Sequence, residues 1–187
     1  RNSRDENKKI KNGVIPEEWE KPENKSKLAQ KDIDADWTKK NGERHFEYKD
    51  HVKCDADSKL ITNYSVTSAS VHDSQRCLVF IGQEDEVLYA DSAYSGKPIA
   101  LALPENCKNQ ICEKGYRNSP LTSEQKMNNR RKSRIRCRIE QIFGFMTGAM
   151  HGITIRSIGI TRAWMNIGIT NLVYNFCRYS YLKRASA

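Results

Sequence analysis

Two carboxylates stand out by their settings. Asp91 follows the apolar run Val87, Leu88, Tyr89 and Ala90 in "VLYADSAYSG", and Glu140 is the lone acid of the stretch "SRIRCRIEQIFGFM". A short apolar run bounded by turn residues reads as a buried strand. Asp91 then lies at the carboxyl end of that strand, where open α/β sheets place their ligands. An aspartate in that position also caps whatever turn follows, and the residues alone leave both readings open. Glu140 has two readings as well. Arg136 precedes it by four, the spacing of a helical ion pair, and the glutamate also flanks an apolar stripe from which its carboxylate can be presented.

The cations around Glu140 point to phosphate chemistry. Residues 114–140 hold nine Lys/Arg against Glu124 and Glu140 only, so most of the formal net charge of +9 lies in one block. Such a block is the electrostatic footprint of a chain that neutralises phosphates, its plainer alternative being a solvated helix face. Lys126, Arg130, Arg131, Lys132, Arg134, Arg136 and Arg138 are the candidate contacts. Contacts of this kind hold a duplex without reading it, so little sequence preference is expected.

Other chemistries fit poorly. Cys107-x4-Cys112 and His45-x5-His51-x2-Cys54 lack the close paired spacing of structural zinc sites. The chain opens with "RNSRDENKK", which is no secretory leader, and no apolar stretch reaches transmembrane length. Six cysteines in that context are expected as free thiols in a reducing cytosol.

The elements that carry these residues follow from the patterning. Residues 1–40 are charged and punctuated by Pro16 and Pro22; they are expected to be an irregular polar arm or insertion, with short helical turns at 16–20 and 26–30. Residues 41–187 form the folded domain. There "RHFEYKDHVKCD" and the β-branched "LITNYSVTSAS" read as antiparallel partners joined at "DADSK". "VHDSQRCLVFIG" turns into a short helix, the strand ending at Asp91 follows, then a helix near 98–103 and a short strand in "NQICEKG". Ser123 is the expected N-cap of one long helix, "SEQKMNNRRKSRIRCRIEQIFGFM". Its apolar stripe is Ile135, Ile139, Ile142, Phe143 and Met146. The last helix, "RAWMNIGITNLVYNFCRYSYLK", offers Trp164, Ile167, Leu172, Tyr174 and Phe176 to the core.

Taken in order, "GERHFEYKDHVKCDADSKLITNYSVTSASVHDS", "VLYADSAYSG" and "SRIRCRIEQIFGFM" resemble the catalytic domain of bacterial insertion-sequence DDE transposases. The nearest group is the one named after insertion sequence five, and the resemblance covers about residues 35–180. It implies an α/β, ribonuclease H-like mixed sheet flanked by helices. It also implies metal-dependent DNA cleavage and strand transfer with Mg²⁺ or Mn²⁺, in the cytoplasm on the nucleoid. Double-stranded DNA, both element ends and target, is the implied partner, with no membrane, and a homodimer is left open. By position Asp91 matches the second catalytic aspartate, Glu140 the glutamate, and Arg136 the arginine four before it. Two positions depart from the pattern: Ser133 stands where a tyrosine is usual and Thr147 where a lysine is usual.

The first catalytic aspartate of that pattern belongs to a central strand upstream of Arg1. Asp5, Asp32, Asp34 and Asp36 lie in polar surroundings and are poor substitutes, and Asp73 in "VHDS" is a better acid in a turn or cap position. The expectation is therefore an N-terminally truncated domain, lacking its first central strand and inactive in this form. The alternative is a non-enzymatic basic DNA-binding remnant of a transposase.

Overall fold

The computed structural model describes residues 1–40, 42–152 and 154–186. The chain is mixed α/β. Its helices are α1 (Arg4–Lys11), α2 (Glu17–Glu20), α3 (Lys25–Leu28), α4 (Asp73–Phe80), α5 (Lys97–Ala102), α6 (Ser123–Arg136), α7 (Arg138–Gly148) and α8 (Ile160–Ala185). Its strands are β1 (Asp36–Lys40), β2 (Glu43–Cys54), β3 (Ile61–Ser68), β4 (Val87–Leu88) and β5 (Lys108–Asn109). Among the described residues the order β1-β2-β3 makes one sheet, and β4 pairs with β5 in a second.

The chain divides into two compact units. One comprises Arg1–His51, Ser65–Val71 and Thr154–Ile169; the other comprises Val52–Tyr64, His72–Ile153 and Thr170–Ala187. β2, β3 and α8 contribute residues to both.

In the first unit, residues expected to be irregular carry regular structure. Ser3 and Glu6 form a reciprocal capping box that starts α1, which satisfies two helix-end N–H groups at once. β1 pairs antiparallel with β2, Trp37 opposite Phe46, and the two rings pack in a tilted arrangement with centroids 5.4 Å apart. The short helical turns expected in this stretch appear as α2 and α3. Beside apolar residues such as Trp19, Val66 and Ile167, polar ones are buried here too: Asn2, Asn7, Asp32 and Asp36 are all inside, each held by a hydrogen bond, as buried polar groups require. Asp32 accepts from the Tyr48 hydroxyl at 2.8 Å and from Gly159 N–H at 3.2 Å, and Asp34 accepts from Ile160 N–H at 2.9 Å at the start of α8. Asp36 is bonded by Asn7 and paired with Lys11 at 2.6 Å.

The second unit contains the hairpin turn, the β4–β5 pair, α4 to α7 and the end of α8. The apolar stripe expected around Glu140 is its core: Ile142 and Met146 are buried with Ile61 and Tyr174, and Ile139 and Phe143 pack against them. A second cluster joins Cys77, Ile99 and Ile111, covered by Leu88, Ala90 and Tyr94.

Three expectations need correction here. The long basic helix is two, α6 and α7, with Cys137 between them. The break is shallow, because Gln141 N–H still reaches Cys137 O at 3.1 Å. Thr122, not Ser123, is the N-cap, in a capping box with Gln125. On α8 the buried residues are Ala163, Ile167, Asn171 and Tyr174, whereas Trp164, Leu172 and Phe176 face outward. Spacings of four, four and three make that buried stripe a single helix face. No helix among the described residues is long and apolar enough to cross a membrane.

Candidate active site

Asp91 sits where its sequence setting puts it. Val87 and Leu88 pair in parallel with Lys108 and Asn109, and backbone bonds continue the ladder. Lys108 N–H reaches Glu86 O, Gln110 N–H reaches Leu88 O, and Cys112 N–H reaches Ala90 O at 2.9 Å. Asp91 is the first residue past the ladder. One of its oxygens, Oδ1, accepts from Ala93 N–H at 2.8 Å and caps the single turn Ser92–Tyr94. The capping reading is therefore real, and it uses one oxygen only; Oδ2 accepts no hydrogen bond from the described residues. Beneath it, burial pushes the Tyr94 phenol upward, and the carboxylates of Asp73 and Asp91 push it further. Asp73 itself opens α4, which His72 caps.

Glu140 lies in the first turn of α7 with its side chain 61% exposed, and its Oε1 pairs with Arg136 Nη2 at 2.9 Å. The i, i+4 partner read from the sequence is thus the observed one. Oε2 holds no partner among the described residues.

Contacts on both sides of Glu140 fix the helix that carries it. Upstream, Asn129 Oδ1 accepts from Glu113 N–H at 2.9 Å while its amide donates to Glu113 O at 3.0 Å. Lys132 Nζ donates to Ile111 O at 2.9 Å, and Ser133 Oγ lies 3.8 Å from Cys112 Sγ. Residues 111–113 follow β5 at the end of its backbone ladder with β4, so α6 is docked beside the strand end at Asp91. Immediately around Glu140, Arg138 reaches Asp57 at 3.4 Å, and Lys59 donates to Gln141 Oε1 at 2.6 Å. Asp57 and Lys59 belong to the β2–β3 turn, which Asp55 closes by accepting from Ser58.

These contacts divide the basic helix. Lys126, Arg130, Arg131 and Arg134 are exposed; at 100° per residue Arg131 and Arg134 lie opposite Asn129, Lys132, Ser133 and Arg136, with Arg130 beside them and Lys126 on the flank near Ser133. Lys132, Arg136 and Arg138 spend their charge on carbonyl or carboxylate partners within the chain. Of the seven cations singled out from sequence, four remain open to phosphate and three are committed. The docking role of Asn129 was missed, although a signal existed: 129, 133, 136 and 140 are spaced by four, three and four, one continuous helix face.

Residues 16–176 match the family described as transposase DDE domain. The chain belongs to that family. It is 33% identical over 117 residues to the transposase for insertion sequence element IS1106 of Neisseria meningitidis serogroup B, a match covering 61% of this chain and 40% of that relative. The chain therefore spans less than half the length of this curated relative. No solved structure matches it. For a transposase DDE domain the implied partner is DNA, and the family works with a divalent metal ion.

The residues present fit such an ion in kind. Asp91 and Glu140 offer hard carboxylate oxygens, each with one oxygen uncommitted, and Mg²⁺ is commonly held by one or two carboxylates with waters and substrate phosphates. Among the described residues no group of three or more His, Cys, Asp or Glu side chains is assembled for a metal. The acids of the first unit do not add to the set, since Asp32, Asp34 and Asp36 are occupied by internal donors.

Proposed function

We propose that this transposase domain is the ribonuclease H-like catalytic region of an insertion-sequence transposase, acting on DNA phosphodiesters with Asp91 and Glu140 as its acids. The observation that supports the reading is the contact of α6 with residues 111–113, beside the strand end at Asp91, since α6 leads through Cys137 into α7 with Glu140. Asp91 presents Oδ2 while its cap bond holds the side-chain rotamer. Glu140 presents Oε2 while Arg136 holds Oε1. Lys126, Arg130, Arg131 and Arg134 receive the phosphates of the duplex, which gives salt-dependent, largely sequence-blind binding. Asp91 and Glu140 would hold a divalent cation, which would supply activation of the attacking oxygen and charge neutralisation at the leaving one. A homodimer on paired ends is compatible with this reading.

A second reading, a DNA-binding protein without catalysis, is favoured by the exposed cations, which need neither acid to hold a duplex. Metal-stimulated nicking of a supercoiled plasmid separates the two. Under the first reading Asp91→Ala and Glu140→Ala each abolish the metal-stimulated nicking and leave duplex affinity intact. Under the second no metal-stimulated nicking exists to lose.

A further inference from the structure

We propose that Asn129 is a positioning residue: its two-bond clamp on the Glu113 peptide sets the register of α6, which runs through the shallow joint at Cys137 into the first turn of α7 with Glu140, against the strand end carrying Asp91. The inference rests on the reading of those two acids as one cation site.

The geometry argues for register rather than for simple packing. An asparagine side chain offers one acceptor and two donors. Asn129 applies them to both groups of a single residue's backbone, Glu113 N–H at 2.9 Å and Glu113 O at 3.0 Å. That residue lies past the β4–β5 ladder, whose last backbone bond is Cys112 N–H to Ala90 O. The clamp thus begins one residue after the sheet stops, on the strand opposite Asp91. A helix displaced by one residue moves about 1.5 Å along its axis and turns about 100°. Either motion exceeds the roughly 0.5 Å within which a ligand constellation must be held. Apolar contact does little to resist it along α6, no residue of which is buried, whereas α7 is anchored beyond Glu140 by Ile142 and Met146. The polar contacts fix the register instead: Asn129 on Glu113, Lys132 on Ile111 O, and Ser133 beside Cys112. Asn129 is the only one of the three with a two-bond grip, and it lies on the helix face that leads through Ser133 and Arg136 to Glu140.

The test measures binding of Mn²⁺ alone, from the free-ion paramagnetic resonance signal, to the full chain and its variants. Asp91→Asn and Glu140→Gln establish the site, each weakening Mn²⁺ binding. Asn129→Ala, in a sample that unfolds cooperatively, weakens it by about tenfold, the low end of what removing a partner bonded directly to the metal ligands costs. Ser133→Cys, added to Asn129→Ala, faces a thiol toward Cys112. Oxidation with glutathione disulfide then ties α6 covalently to the segment that follows β5 and restores the affinity, while reduction removes it again. A structural role alone would lower the unfolding temperature without this redox-reversible recovery.

Unchanged Mn²⁺ affinity in folded Asn129→Ala overturns the inference and leaves the cation reading standing. Unchanged affinity in Asp91→Asn and Glu140→Gln overturns both. If Asn129→Ala does not fold, the oxidised double variant decides: recovery of binding supports the register role, and a folded, cross-linked chain that binds no better than the reduced one overturns it.

Discussion

Arg136 and Glu140 form a 2.9 Å ion pair across the joint at Cys137, the arginine ending one helix and the glutamate lying in the first turn of the next. With its side chain 61% exposed, Glu140 gains little stability from this pair. Exposed i, i+4 pairs contribute about 0.3–0.5 kcal/mol. Glu140→Gln is therefore expected to shift the thermal midpoint by less than about 2 °C while it removes metal-stimulated nicking. A large loss of stability would make Glu140 a structural residue and remove it from the chemistry.

The division of cations on α6 makes a prediction about salt. Removing one cation that neutralises a duplex phosphate lowers the slope of log affinity against log salt by about 0.9. Lys126→Ala, Arg130→Ala and Arg134→Ala should each do so in anisotropy titrations across a potassium chloride series. Lys132→Met should leave the slope alone and cost about 1 kcal/mol of stability through its missing bond to Ile111 O. Equal slopes for all four variants would mean that the exposed face is not where DNA lies.

Much of the site was legible because its logic is local. An apolar run ending in an aspartate gives both the strand and the cap, and Arg136–Glu140 follows from spacing. Two capping boxes were also written in the chain, Ser3 with Glu6 and Thr122 with Gln125; charge density hid the first, and an adjacent serine displaced the second. The Asn129 clamp spans 16 residues and Asn2–Asp32 spans 30, so neither leaves a periodic trace. The outward turn of Trp164, Leu172 and Phe176 was equally hidden. Apolar residues surround α8 on nearly every side, and only the packing partners decide which stripe goes in.

Acid should destabilise the first unit through Glu6. Burial opposes ionisation of this carboxyl, but Lys31 at 2.8 Å, the Ser3 backbone and the Trp19 indole outweigh it, and its pKa is lowered from 4.5 to about 2. The folded value lies below the unfolded one. Its contribution is therefore complete above about pH 4.5 and is lost as pH falls toward about 2. Asp36 is lowered as well and acts in the same direction, as Asp55 does in the second unit. Glu6→Gln should flatten this part of the stability profile, read by the fluorescence of buried Trp19. An unaltered acid slope would remove Glu6 from the account.

Thiol reactivity should rank by exposure and thiolate content. Burial pushes the Cys54 thiol up to about 11, with Asp55 adding to the rise, and burial also raises Cys77. Cys177 is exposed. Brief alkylation near neutral pH, followed by peptide mass spectrometry, should modify Cys177 first and Cys54 and Cys77 last. Early modification of Cys54 would mean that the turn above it opens readily.

Two asparagines one turn apart on α8 should respond in opposite ways to the same substitution. Asn175 accepts from Ile61 N–H at 2.8 Å and donates to Ile61 O at 2.8 Å, gripping the first residue of β3. Asn171 is 3% exposed, and neither its amide nitrogen nor its oxygen finds a hydrogen-bond partner among the described residues. Removing Asn175 forfeits two bonds and strands a partly buried peptide, a loss of about 2 kcal/mol or more. Removing Asn171 forfeits no bond seen here and relieves the desolvation of an amide, so an apolar residue of similar volume is neutral or stabilising. Asn171→Leu should therefore hold or raise the denaturant midpoint, while Asn175→Leu lowers it. A marked loss in Asn171→Leu would show that its amide has a partner in solution, with an ordered water as the first group to look for.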